Sequence, residues 1–105
     1  MQSIPMQPIH ANERAALERL LRVAKTDTGQ ARRVADFLLA WWNANDCGGF
    51  DPTDMWAIDD DLAADMVTLF SFIARGRCYP SSLGFTGEYQ AVLDAWRPAV
   101  MTSEV

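Results

Sequence analysis

The sequence predicts an all-α protein, a compact bundle of four helices plus a short extra helical turn. Apolar residues recur with the 3.6-residue period of a helix in four segments. Residues that start or stop helices separate those segments. No segment alternates apolar and polar residues long enough to form a strand, and no internal repeat is visible. Helices are therefore the only regular elements expected.

The first predicted helix covers residues 12–25. Its apolar residues share one face at about 100° per residue, and its charged residues occupy the other face. In the turn that follows, Asp27 and Gln30 resemble a capping box, in which two side chains satisfy each other's free backbone N–H groups. This pattern predicts that a second helix begins there and runs over residues 28–44.

The second predicted helix is apolar over an arc of roughly 200°, so it should lie centrally or meet a partner. Trp41 and Trp42 point about 100° apart and should pack against different elements. Both can belong to the core. Alternatively, one of them is left at the surface and anchors a partner protein.

A short helical turn is predicted after the second helix. Gly48 and Gly49 end the helical region. Asp51 can then serve as an N-cap, with Pro52 at the first helical position, where its missing N–H costs nothing. The turn should continue through Trp56.

Two further helices complete the bundle. Asp59 is expected to cap a helix over residues 60–75, and Gly76 to end it in the left-handed conformation. After a loop, Thr86 can cap a last helix that Pro98 ends.

The length of 105 residues suffices for one domain with a real core. We expect a flexible lead-in over residues 1–11, a single helical domain over 12–98 and a tail over 99–105. The predicted core consists of Leu17, Leu20, Val34, Leu38, Trp41, Leu62, Met66, Leu69, Phe70, Ile73, Val92, Leu93 and Trp96.

Charge is distributed unevenly along the chain. Half of the residues are apolar, 22% are charged and the net charge is −5, which is ordinary for a globular protein. Residues 12–33 contain six basic and three acidic residues, whereas residues 36–65 contain eight aspartates and no basic residue. The folded molecule should therefore be dipolar.

The sequence favours a cytoplasmic protein with no contact to a membrane. No run approaches the roughly 20 apolar residues that a membrane span needs, and the first residues do not resemble a signal peptide. Cys47 and Cys78 match no zinc spacing, and His10 is the single histidine that could join them. Two reduced structural thiols are expected.

No set of residues predicts catalysis. Cys47 lies beside two glycines, but no base accompanies it, because the one imidazole lies in the expected lead-in. Ser81 and Ser82 lack the turn of a serine nucleophile, and no Lys-Ser or Lys-Thr follows Gly48 and Gly49 to make a phosphate-binding loop. We therefore predict no catalytic residue, no cofactor and no enzyme.

An acidic cluster follows the glycines and consists of Asp51, Asp54, Asp59, Asp60, Asp61 and Asp65. Carboxylates are ligands for Mg²⁺ and Ca²⁺, but the spacing lacks the alternating ligands, central glycine and closing glutamate of a calcium loop. We predict no metal site, and assign these residues to helix capping and a solvated acidic surface.

A basic strip on the first two helices could instead contact phosphates. Its candidate residues are Arg19, Arg22, Arg32 and Arg33. Interspersed acidic residues dilute this strip, and the second helix is too apolar to serve as a recognition helix in a DNA groove. Nucleic-acid binding therefore remains the alternative rather than the leading hypothesis.

Five short blocks carry a resemblance to a known family. They are Asp27-Thr-Gly-Gln30, Phe37-Leu-Leu-Ala-Trp-Trp-Asn43, Gly48-Gly-Phe-Asp51, Asp54-Met-Trp56 and Trp96-Arg-Pro98. Together they resemble a small uncharacterised family of proteobacterial proteins that are often carried on mobile genetic elements. The resemblance covers residues 15–98 and implies a bacterial origin, and the family has no assigned activity to transfer.

The function is thus not determined by the sequence, and three hypotheses remain. The leading one is a non-enzymatic protein-interaction or accessory module that engages another protein, or a second copy as a homodimer, through Trp41 or Trp42 and the acidic cluster. The second is a weak nucleic-acid-associated regulatory factor. The third is an acidic decoy whose aspartates imitate phosphates toward a basic host enzyme.

Overall fold

The computed structural model describes residues 8–100 of the chain. The α-helices are α1 (Ala11–Ala24), α2 (Gly29–Cys47), α3 (Asp60–Gly76) and α4 (Thr86–Trp96), with 3₁₀ helices at Pro52–Ala57 and Pro80–Leu83. Within these residues there is no strand. The predicted all-α bundle of four helices with a short extra turn is therefore confirmed. A second 3₁₀ helix lies where only a loop was expected.

The expected lead-in and tail fall mostly outside the described residues. Residues 1–7 and 101–105 are not described. Helix α1 already begins at Ala11, and His10 is its N-cap. No helix within residues 8–100 has the length and apolarity to cross a membrane.

Helix α1 lies at the centre of the bundle, because it contacts the other three helices. Its buried face is apolar except at one position. Most of the predicted core is confirmed, while Trp41, Ile73 and Trp96 are half-buried and pack against its edge. The large buried side chains that the prediction left out are Leu21, Phe37, Leu39, Trp42, Ile58, Phe72, Phe85 and Tyr89.

Two ion pairs join α1 to α3. Both oxygens of Glu13 accept hydrogen bonds from Arg75, at 2.7 and 2.8 Å. Both oxygens of Asp65 accept from Arg19, at 2.8 Å each. Glu13, near the start of α1, contacts Arg75, near the end of α3, so the two helices run antiparallel. The hydrogen bonds of the two pairs fix the register of the helices.

Glu13 is 5% exposed, and it also accepts a hydrogen bond from the backbone N–H of His10 at 2.8 Å. The hydrogen bonds from Arg75 lower its pKa to about 2, although burial acts in the opposite direction. The buried carboxylate therefore stays charged throughout the physiological range.

The start of α2 differs from the prediction. Thr28, not Asp27, is the N-cap, and its hydroxyl accepts from the Ala31 N–H at 3.0 Å. Gln30 does not complete a capping box. Its Oε1 accepts from the Asp59 N–H at 2.7 Å, and this bond ties the start of α2 to the start of α3.

The end of α2 contains a break at Asn43, whose φ of −167° and ψ of 83° are not helical. The Asn43 side chain accepts from the Asp46 N–H at 3.2 Å and donates to the Asp46 carboxylate at 3.0 Å. Asn43 thus caps a further turn that ends at Cys47, beyond the predicted end at residue 44.

Three predicted helix caps need correction. Gly76 does not adopt the left-handed conformation, which falls instead on Arg77 with φ 55° and ψ 43°. The N-cap of α4 is Phe85 rather than Thr86. Asp59 occupies the predicted N-cap of α3, but its backbone carbonyl rather than its side chain accepts the hydrogen bonds there.

Gly76 is required for packing. A Cβ at this position would lie 2.5 Å from Cζ of Phe72, a fully buried ring. That ring also lies edge-on to Trp41 and under the guanidinium of Arg75, so it has little room to move.

We predict that Gly76→Ala lowers the free energy of unfolding by about 1–3 kcal/mol, because overpacking outweighs the gain in helix propensity. Gly87 is the matched control, since a Cβ there meets no atom within 4 Å. Gly87→Ala should raise stability by about 0.5–1 kcal/mol. Urea denaturation measures both. Equal effects of the two substitutions would contradict the tight packing at Gly76.

We also predict that Glu13→Gln lowers the free energy of unfolding by about 1.5–3 kcal/mol at pH 7, the usual range for hydrogen bonds to a charged group. The folded-state pKa is about 2 against an ordinary 4.5. The contribution of Glu13 is therefore complete above pH 4.5 and lost as the pH falls towards 2.

Thermal unfolding of wild type and Glu13→Gln between pH 7 and pH 2 should show the difference between them shrinking over that window. Glu18→Gln is the control, because Glu18 is an exposed carboxylate on the same helix. A difference that stays constant with pH would show that the charge of Glu13 contributes nothing.

Candidate functional site

A groove of about 450 Å³ opens on the surface between α2, the first 3₁₀ helix and α3. The side chains that line it are all apolar: Phe37, Ala40, Trp41, Phe50, Pro52, Phe70 and Ile73. We call it the apolar groove. Apolar concave surfaces with aromatic walls are typical binding sites for apolar ligands or for protein side chains.

Trp41 forms one wall of the groove and is held in place. Its indole N–H donates to the carbonyl of Cys78 at 3.0 Å, and its ring meets Phe72 edge-on at 6.4 Å. Two other lining residues, Phe37 and Phe50, pack edge-on against each other with ring centres 5.2 Å apart. These contacts hold the aromatic side chains in place, so a partner would meet a preformed surface.

Phe70 is 65% exposed, so its predicted place in the core is wrong. Phe70 and Phe72 lie about 80° to either side of Leu62 on the helix, and the periodic pattern does not choose between them. The ion pair of Arg19 with Asp65 places α1 on the Phe72 side. Phe72 is fully buried, and Phe70 is left at the surface.

Apolar residues continue along α3 beyond the groove, and all but the partly buried Ala63 are exposed. Ala63, Val67, Phe70 and Ala74 fall within an arc of about 60°. Val67 is 60% exposed, and Ala74 is exposed as well. We call these four residues the α3 stripe. Phe70 belongs both to the stripe and to the groove.

The two tryptophans of the sequence pattern have different environments. Trp42 is 2% exposed and stacks on Tyr89 with ring centres 5.0 Å apart, so it joins α2 to α4 in the core. Its assignment to a partner surface must be corrected, because no partner can reach a buried ring. Trp41 remains available through the groove, and Trp56, which was not predicted as a binding residue, is 86% exposed.

Three carboxylates of the acidic cluster make close structural contacts, while Asp59 accepts only a long hydrogen bond from Gln30, at 3.4 Å. Asp51 caps the first 3₁₀ helix as predicted, with its carboxylate accepting from the Thr53 N–H at 3.0 Å, and this bond lowers its pKa. Asp54 lies 3.6 Å from Arg33, and Asp65 is buried against Arg19. The exposed members beyond the cap are Asp59, Asp60 and Asp61.

No metal centre appears in the part of the chain that the structure describes. Across residues 8–100, no three histidine, cysteine or acidic side chains converge closely enough to hold an ion.

Most of the predicted basic strip is engaged within the protein. Arg19 pairs with Asp65, Arg32 with Asp36, and Arg33 with Asp54. The fourth member, Arg22, is exposed on α1. A phosphate would have to compete with these carboxylates, which weakens the nucleic-acid alternative.

Both cysteines are free thiols. Cys47 is buried and Cys78 is half-buried, and burial raises the pKa of each. A thiol that stays protonated is a weak nucleophile. The backbone carbonyl of Cys47 accepts a hydrogen bond from Arg97 at 3.0 Å, which gives this residue a structural contact.

Comparison with known proteins gives a family but no activity. The model of the family of unknown function DUF7673 matches residues 14–97, most of the chain. Neither the curated proteins nor the solved structures contain a match.

We predict very different losses of stability for two phenylalanines that are two residues apart on α3. Phe72→Ala should lower the free energy of unfolding by about 3–5 kcal/mol, because it leaves a cavity in the core. Phe70→Ala should change it by less than about 0.5 kcal/mol, because most of this ring is already exposed. Urea denaturation of both variants tests the orientation of α3. If Phe70→Ala lowers the free energy of unfolding more than Phe72→Ala does, the face of α3 described here as exposed is in fact the buried one.

Proposed function

We propose that this chain, which belongs to the family of unknown function DUF7673, is a non-enzymatic protein-interaction module. In this proposal the apolar groove and the α3 stripe form the binding surface. The exposure of Phe70 and Val67 beside an aromatic groove is the observation that carries it. A continuous apolar surface of this kind is costly to keep in water, and on small domains it commonly marks a protein interface.

The form of the surface supports a protein partner. Its centre is aromatic and aliphatic, while exposed carboxylates such as Asp51 and Asp60 lie at its edges. An apolar centre with a polar rim is the usual composition of a protein interface. A nucleic-acid surface would instead need unpaired basic residues, and three of the four candidate arginines are in ion pairs.

The environments of the reactive groups support the non-enzymatic part of the proposal. Glu13, whose pKa is strongly shifted, is bonded to Arg75 in the interior and not in a cleft. The thiols of Cys47 and Cys78 are held protonated by burial. No side chain that lines the apolar groove can donate or accept a proton in acid–base catalysis.

The setting of the protein is part of the same proposal. The sequence blocks quoted above support a bacterial origin and carriage on a mobile genetic element. The two unpaired thiols support a reducing compartment, and hence the cytoplasm. An accessory factor that works by binding would suit that setting.

Site-specific photocrosslinking in the native host tests the proposal. Benzoylphenylalanine at position 70 should form covalent adducts with a protein, because Phe70 lies at the centre of the proposed surface. The same group at position 18, on the exposed side of α1, is the matched control and should form few adducts. Equal adduct yields at the two positions would show that the surface binds no protein and would overturn the proposal.

A further inference from the structure

We infer that the partner of the α3 stripe is a second copy of this chain. Two α3 helices would pack antiparallel across a two-fold axis that passes between residues 68 and 69. The inference rests on the proposed function, since it names the partner for the same surface. It comes from the order of residues along the stripe.

When two copies of the stripe run antiparallel, each bulky stripe residue lies opposite a bulky one of the second copy, and each small residue lies opposite a small one. In an antiparallel pair centred at this point, Val67 lies opposite Phe70 of the second copy. Ala63 then lies opposite Ala74 of the second copy, and each of these contacts occurs twice. A two-fold interface requires one patch to be complementary to itself, and the stripe meets that requirement.

The side-chain sizes suit close packing of the two helices. The exposed bulky residues Val67 and Phe70 would meet at the centre and exclude water from each other. The small residues Ala63 and Ala74 would lie towards the ends and let the backbones approach. Helix axes then come within the usual 8–10 Å or so of a packed pair.

Charges at the two ends of α3 select the antiparallel direction. Asp60 lies in the first turn of the helix, and Arg77 follows its last residue. The two-fold axis between residues 68 and 69, which brings the apolar residues together, also places Asp60 opposite Arg77 of the second copy. Both side chains are exposed, and within residues 8–100 neither has an ion-pair partner. A parallel pair would place like charges together and oppose association.

The expected dimer is weak unless the groove contributes to it. A stripe on a helix of 17 residues buries less than the roughly 800 Å² per partner of a standard interface. Because Phe70 also lines the apolar groove, dimer formation would place the two grooves beside the two-fold axis.

Charge exchange provides a sharp test by sedimentation velocity over about 1 µM to 1 mM, a range that covers the millimolar-to-micromolar affinities of small interfaces. Asp60→Arg alone and Arg77→Asp alone should each weaken self-association by roughly tenfold, because two attractive contacts become repulsive. An equimolar mixture of the two variants should associate as tightly as wild type, because both contacts then join opposite charges again. High salt should reduce these differences.

Matched controls carry the same changes in charge elsewhere. Glu18→Arg and Arg22→Asp alter exposed residues of α1 and should leave association unchanged. Val67→Glu should abolish the dimer, because it places a carboxylate at the apolar centre of the contact and leaves Asp60 and Arg77 unchanged. Circular dichroism should show every variant to be folded, because all the altered side chains are exposed.

A wild type that remains monomeric at 1 mM, or a mixture no tighter than the single variants, overturns the inference. A dimer that is insensitive to Val67→Glu overturns it as well, because the contact then lies elsewhere. If the crosslinks at position 70 join a different protein while wild type stays monomeric, the proposed function stands and only the second copy is excluded. The absence of any protein adduct at position 70 would exclude both the proposed function and the dimer.

Discussion

The antiparallel contact between α1 and α3 is the constraint on which the rest of the structure depends. Its two bidentate ion pairs have opposite polarity, since α1 supplies the acid in Glu13 and the base in Arg19. A shift of either helix along the other would bring neither pair into contact and would leave charges buried without partners. Such uncompensated charges are costly, so the register has little freedom.

This register decides which residues of α3 face outwards. With α1 on the side of Asp65, the core takes Phe72, and Gly76 leaves space for its ring. Phe70, Val67 and Ala74 are then exposed. The apolar surface is thus a consequence of the core: α3 has more apolar residues than one helix can bury against α1.

The ion pairs also change how the charge pattern is interpreted. In the chain, a basic segment precedes an acidic one, and this order suggests a strongly dipolar molecule. In the fold the two segments lie against each other, and Arg19 and Arg33 pair with aspartates of the acidic cluster. Much of the apparent basic surface is thereby neutralised. The carboxylates of Asp59, Asp60 and Asp61 remain exposed, and the surface that is left suits a protein partner better than a phosphate backbone.

The sequence by itself determined the features that depend on neighbouring residues. The number of α-helices follows from apolar periodicity, and the start of the first 3₁₀ helix follows from Asp51 and Pro52, because these signals act within a few residues. Tertiary structure decided which of two equivalent neighbours is buried. Apolar periodicity does not distinguish Trp41 from Trp42, or Phe70 from Phe72. Packing decides which residue of each pair is buried. The contacts that select, such as Arg19 with Asp65, join residues 46 positions apart, and no local pattern contains that information.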